Sequence, residues 1–172
     1  MYAAAEALID ELQEELPATR RVLERIPDEH LGWRPHPKSM SLGQLALHVA
    51  QIPGRIAQIA ALDRFDASQG QPDPPSPETA ADLLVALDES AAEARAFLEG
   101  LDEERAKASW AMAVGGQEVL VLPRLKVMRK IALNHWYHHR GQLQVYLRLL
   151  DLPVPIVYGR SADESPFDDP AA

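Results

Sequence analysis

Apolar residues recur along most of the chain at intervals of three and four, the spacing that lines one face of an α-helix. Residues 4 to 26 carry Leu8, Leu12, Leu16, Leu23 and Ile26. They predict a first helix, bent or broken at Pro17, where the ring clashes with the preceding turn. The stretch IPDEHLGWRPHPKSM that follows has three prolines and a glycine, which is loop chemistry. Ser41 then stands three residues ahead of Gln44, a pairing that satisfies two free amides at a helix start. The second helix is expected from about residue 42 to 62, with Leu42, Leu45, Val49, Ile52, Ile56 and Ile59 on its apolar face.

Periodicity lapses over DRFDASQGQPDPPSP, residues 63 to 77, which reads as a connector. Ser76 and Pro77 suit the cap and first position of a third helix. That helix would carry Leu83, Leu84, Leu87, Ala91, Ala94, Phe97, Leu98 and Leu101 and stop near Gly100. In KASWAMAVGGQEVLVL the period shortens to two on either side of Gly115-Gly116, which predicts a β-hairpin with a type I′ turn. A last helix is expected from Pro123 to about Leu150, followed by a proline-broken tail. Four amphipathic helices with two longer connections indicate an all-α four-helix bundle, with a short β-hairpin before the last helix. The length of 172 residues suits one domain spanning 1–172.

Composition narrows the functional classes. A formal net charge of -9 repels phosphate backbones, which favours a small-molecule or protein partner and argues against nucleic acid. No apolar run approaches the roughly 20 residues of a membrane-spanning helix. The acidic start MYAAAEALIDELQEEL lacks the basic region of an export signal, so a cytoplasmic protein is expected. The absence of cysteine rules out disulfides, thiolate ligands and a cysteine nucleophile, leaving nitrogen and oxygen to hold any metal.

The segment NHWYHHRGQL, residues 134 to 143, concentrates the candidate chemistry. On a wheel of about 100° per residue, His135, His139, Gln142, Tyr146 and Met128 fall within about 60° of one another, and His138 lies further round. Histidines at i and i+4 stack their imidazoles, the arrangement in which both reach one ion at about 2.0–2.1 Å. His48, at the edge of the second helix's apolar face, is a third candidate. A buried imidazole must partner both ring nitrogens, and a shared cation does this for several rings at once. Three neutral imidazoles would leave a coordination position open for water or substrate. Pro53-Gly54 predicts a bend that either widens the bundle beside His48 or follows the curvature of the core. Gln142 and Tyr146 are placed to face a ligand. Trp136, Tyr137 and His138 are expected on the flank or outside, where a partner subunit could meet them. His30 and His36 are expected solvated in loops, and Arg140 and Arg148 on a solvated face. Serine-hydrolase order, a phosphate-binding glycine loop and paired inward carboxylates are not visible in the sequence.

With those residues in view, HWYHHRGQLQVYLRLLDLPVPIVYG resembles the closing helix and tail of the DinB-like proteins, metal-binding four-helix bundles of the DinB/YfiT type. LGWRPHPKSMSLGQLALHVAQIPG is similar to that family's approach to its second helix. The resemblance implies a divalent ion, zinc or nickel, held by His48, His135 and His139, with His138 in the family's doubled position and not a ligand. It also implies a homodimer. Characterised relatives include bacillithiol S-transferases and mycothiol-dependent isomerases, so a transferase conjugating a low-molecular-weight thiol to a small electrophile is expected. The alternatives are a metal-dependent hydrolase, for which no inward carboxylate offers a general base, and a non-catalytic metal- or ligand-binding dimer.

Overall fold

The computed structural model describes residues 2–69 and 75–165. Part of the expected connector, 70–74, and the end of the tail, 166–172, lie outside the described residues. The chain forms α1 (Ala3–Leu23), α2 (Leu42–Ala61), β1 (Arg64–Asp66), α3 (Ala80–Glu99), the short α4 (Glu103–Lys107), β2 (Ser109–Val114) and β3 (Gln117–Pro123). A closing rod follows, made of α5 (Arg124–Val127), a π-helical turn (Met128–Leu133) and α6 (Asn134–Leu149). The protein is thus mostly helical, with a small sheet beside the helices.

The four long helices bury the stripes that their periodicity marks. Leu8, Leu12 and Leu23 from α1, Leu45, Val49 and Ile52 from α2, Leu83, Leu87 and Leu98 from α3, and Leu143 and Leu147 from α6 share one apolar core. At the start of α2 every free amide has an acceptor. Leu42 and Gly43 donate to the carbonyls of Trp33 and Leu31 at 2.7 and 2.9 Å, and Leu45 to that of Ser41 at 2.9 Å. Gln44 and Ser41 exchange side-chain bonds at 3.2 and 2.9 Å, the reciprocal cap expected there. At the other end the buried Arg124 guanidinium donates to the carbonyls of Ala60 and Leu62 at 2.7 and 3.0 Å and pairs with Asp63 at 2.7 Å. Helix termini leave such carbonyls free, and a cation there also complements the helix dipole. With both ends fastened, the position of His48 is set by the helix as a whole.

Several expectations change. α1 runs through Pro17 without a break and stops at Leu23. α3 begins at Ala80, later than Ser76-Pro77 suggests, because the Thr79 amide bonds Asp82 at 2.7 Å and the Ala80 amide bonds Asp28 at 2.6 Å. Two carboxylates on free amides outweigh a lone serine cap. α2 continues through Pro53, in keeping with the extent expected of it. The adjacent Gly54 explains the pair: its N–H donates to Ser90 Oγ at 2.8 Å, and a Cβ there would lie 2.8 Å from the Ser90 Cα. Glycine lets α3 close onto α2 at this point, so the Pro-Gly step tightens a helix crossing.

The expected hairpin is present. β2 and β3 pair antiparallel around Gly115 and Gly116, whose φ values of 58° and 83° suit glycine. β1 joins the other edge of β2 in parallel, with Arg64 opposite Ala111. Three residues are too few to show alternation, so this strand was not legible in the pattern. Trp110 anchors the sheet by donating from Nε1 to the Ile59 carbonyl at 3.0 Å. Among the described residues, no helix is long and apolar enough to cross a membrane.

Candidate metal centre

α6 and α2 bring three imidazoles together. His135 and His139, one turn apart on α6, have ring centroids 4.5 Å from each other. His48 of α2 lies 5.0 Å from the first and 4.7 Å from the second. All three are half-buried, and one ring nitrogen of each lies within 4.8 Å of the others. The Nε2 atoms of His48 and His135 are 3.3 Å apart. A tetrahedral ion with bonds of about 2.05 Å sets its ligands about 3.3 Å apart, so this edge already has the separation that such a site requires. The set can hold a metal ion, and it contains only nitrogen donors of a kind that suits zinc and nickel.

The electrostatics agree with neutral rings. Burial, reinforced by the neighbouring imidazoles, pushes His48 and His135 down to about 4, and burial also lowers His139. Arg55 adds its positive charge against protonation of His48, and no carboxylate joins the three rings among the described residues. A neutral imidazole keeps a lone pair for an ion, so the site is prepared for a cation without holding a counter-charge.

Gln142 has a different part from the ligand-facing one expected of it. Its Oε1 lies 2.7 Å from His139 Nδ1, which makes Nδ1–H the donor and leaves the Nε2 lone pair free. Tyr146 is a packed aromatic: it meets Trp33 edge-on at 5.7 Å and donates to the Met40 carbonyl at 3.4 Å. His138 is exposed beside His139 and stays outside the convergent set. His36 is exposed in its loop and His30 is half-exposed in its turn.

The adjoining face of α6 corrects two further expectations. Trp136 and Arg140, expected outside, are buried, and they form with Leu143 and Leu147 the stripe that enters the core. The spacing 136, 140, 143, 147 marks that stripe, but an arginine in the middle disguises it. The histidine stripe lies about 100° away at the boundary of the core. Arg140 is 1% exposed, and its guanidinium pairs with Glu15 at 2.6 Å. It also donates to Thr19 Oγ1 at 3.0 Å and to the Tyr158 hydroxyl. The rings of Tyr137 and Tyr158 lie 5.4 and 5.1 Å from its Cζ. Arg148 is at the surface as expected, paired with Asp163. The π-helical turn is another feature that a 3.6-residue period misses. It adds a residue to the turn just before α6, so Met128 is buried without sharing the undistorted wheel of the histidines.

This architecture occurs in solved proteins. A DinB-like protein from Bacillus cereus ATCC 10987 superposes with a TM-score of 0.68 at 22% identity, covering 89% of this chain and 97% of that one. A DinB-like protein from Bacillus subtilis gives 0.65 at 21% identity, covering 90% and 99%. In sequence, the uncharacterized protein YrdA of Bacillus subtilis (strain 168) is 24% identical over 166 residues, 95% of this chain and 93% of its own length. The DinB family pattern itself matches residues 1–168. Fold and sequence together therefore place this chain in the DinB family.

Proposed function

We propose that the protein is a metal-dependent transferase that joins a low-molecular-weight thiol to a small electrophile, with His48, His135 and His139 as the ligands of a zinc or nickel ion. The observation that carries this reading is the convergence of three half-buried imidazoles, with ring nitrogens within 4.8 Å of one another and no carboxylate in the set among the described residues. Bound there, a divalent cation would lower the pKa of an adjacent thiol and stabilise its conjugate base. The imidazoles contribute no charge, so the cation's positive charge is available to an anionic sulfur. Gln142 fixes the tautomer of His139, and the half-burial of the rings limits competing water. The thiol proton leaves to solvent, the sulfur lone pair forms the bond to carbon, and the leaving group departs with the electron pair of the broken bond. Hydrolysis is less well supported, because it needs a base to take a proton from water and, among the described residues, no carboxylate joins the three rings.

The reading includes a cytoplasmic homodimer, which sedimentation would check. The decisive experiment measures metal in protein purified without a histidine tag, beside His135→Ala and His139→Ala variants. Near-stoichiometric metal in the parent and almost none in the variants is expected, and equal metal in all three would sink the site. Consumption of cysteine, glutathione, bacillithiol or mycothiol with 1-chloro-2,4-dinitrobenzene then tests transfer. Ester or amide cleavage without added thiol would favour hydrolysis instead.

A further inference from the structure

Further along α2 from His48, α2 and α3 enclose a cleft of about 210 Å³ with charges of both signs. α2 lines it with Gln51, Arg55 and Gln58, and α3 with Glu89 and Glu93. Steps of three and four residues place each set on one stripe of its helix. Gly54 forms the floor, since a Cβ there would lie 2.6 Å from Glu93 Oε2 and 2.9 Å from the Ser90 carbonyl oxygen. The cleft therefore exists where the two backbones approach most closely, and a larger residue would pry it apart.

Arg55 is the arginine that lines this cleft. Arg20, Arg25, Arg95 and Arg148 each pair with a carboxylate. Arg55 is exposed and, among the described residues, has no carboxylate within ion-pair distance, although Glu89 and Glu93 share its cleft. Glu93 is instead engaged by Gln58 Nε2 at 2.9 Å. Arg55 follows His48 by seven residues, which puts it on the same stripe of α2 about 10 Å along the axis. Arg55 is exposed and His48 half-buried, so the stripe runs from the imidazole outward to the cleft.

We infer that the cleft holds a free α-amino-acid end of the thiol substrate, with its carboxylate on Arg55 and its ammonium on Glu89 and Glu93. This deepens the transferase reading and rests on it. A guanidinium is suited to a carboxylate through two parallel N–H bonds, and two carboxylates beside it select an ammonium over a second anion. The about 10 Å between the His48 and Arg55 levels corresponds to a thiol whose sulfur and amino-acid end are separated by an amide-linked unit, as in γ-glutamylcysteine. A thiol without that end, such as N-acetylcysteine, reaches the imidazoles and leaves the cleft empty.

The test is direct binding to cobalt(II)-loaded protein, read from the sulfur-to-cobalt charge-transfer absorption during titration with γ-glutamylcysteine and with N-acetylcysteine. These probes share the acylated cysteine and differ in the γ-glutamyl amino-acid end. Tighter binding of γ-glutamylcysteine by about tenfold is expected, the effect of a charge-assisted contact worth about 1.4 kcal/mol. Arg55→Gln and Glu89→Gln should each remove most of that preference while leaving N-acetylcysteine affinity within about twofold. Equal affinity for the two thiols in the parent, or a preference that survives Arg55→Gln, overturns the inference while the absorption band upholds the thiol reading. No band with either thiol overturns both.

Discussion

The two faces of α6 carry polar groups under opposite rules. On one, Arg140 is buried at full charge and is surrounded by Glu15, Thr19, Tyr158 and aromatic rings. On the other, His135 and His139 are half-buried, neutral, and next to a third imidazole. The arginine has its partners within the fold, so it ties α6 to α1 and to the tail that carries Tyr158. The histidines face one another with no carboxylate in their set among the described residues, an arrangement that can hold a metal ion. Burial with complete pairing marks structure, and partial burial with unused donor capacity marks chemistry.

The comparison breaks most visibly at Arg140. Arg140→Ala leaves Glu15, 16% exposed at its side chain, without its cation. Removing one partner of a buried pair costs about 3–5 kcal/mol, so denaturant unfolding should show a loss of that order. At a temperature where the variant remains folded, its metal content should match the parent's. Loss of metal in folded Arg140→Ala would show that the two faces are coupled.

Acidification probes the other face. His48 and His135 titrate near 4 when folded and near 6.5 when unfolded, so between those values the unfolded chain binds more protons. Metal-free protein should therefore lose stability as pH falls from about 6.5 toward about 4, with little change between 7 and 8. Denaturant midpoints between pH 7 and 5, above most carboxylate titration, would show this slope. His48→Gln should reduce it and Arg140→Lys should not. A flat profile in metal-free protein would contradict the burial of these rings as neutral groups.

The smallest expected effect lies at Gln142. Gln142→Met removes the oxygen acceptor at His139 Nδ1 while keeping the side chain's length, and losing such an orienting bond typically weakens metal binding about 10–100-fold. Competition with a chromogenic chelator would measure the change, and unaltered affinity would reduce Gln142 to a surface residue. Unfolding of the metal-free variant should stay within about 0.5 kcal/mol of the parent, because Gln142 is exposed.

Much of this was legible because it is local. The Ser41–Gln44 cap, the apolar stripes of the long helices, the Gly115-Gly116 turn and the stacking of His135 on His139 all follow from spacings of a few residues. The edge of the second helix's apolar face made His48 a third candidate, and the family resemblance implied it as a ligand. What escaped depended on partners distant in sequence. Arg140 looked solvated because its charge gave no sign of Glu15, 125 residues earlier. Pro53-Gly54 gave no sign in the sequence that Ser90 of α3 packs against it. β1 and the π-helical turn are too short to leave a period, and Asp28 took part in starting α3 from across a loop.

By itself, the sequence determined which segments are helical, where the hairpin turns, and that two histidines share a face. These are consequences of backbone period and steric preference. Only the tertiary structure decided that His48 comes within 3.3 Å of His135, that the histidine stripe stops at the core's boundary, and that the arginine beside it goes inside. Those outcomes depend on how whole helices pack, and on whether each buried polar group finds a partner that only the folded chain can supply.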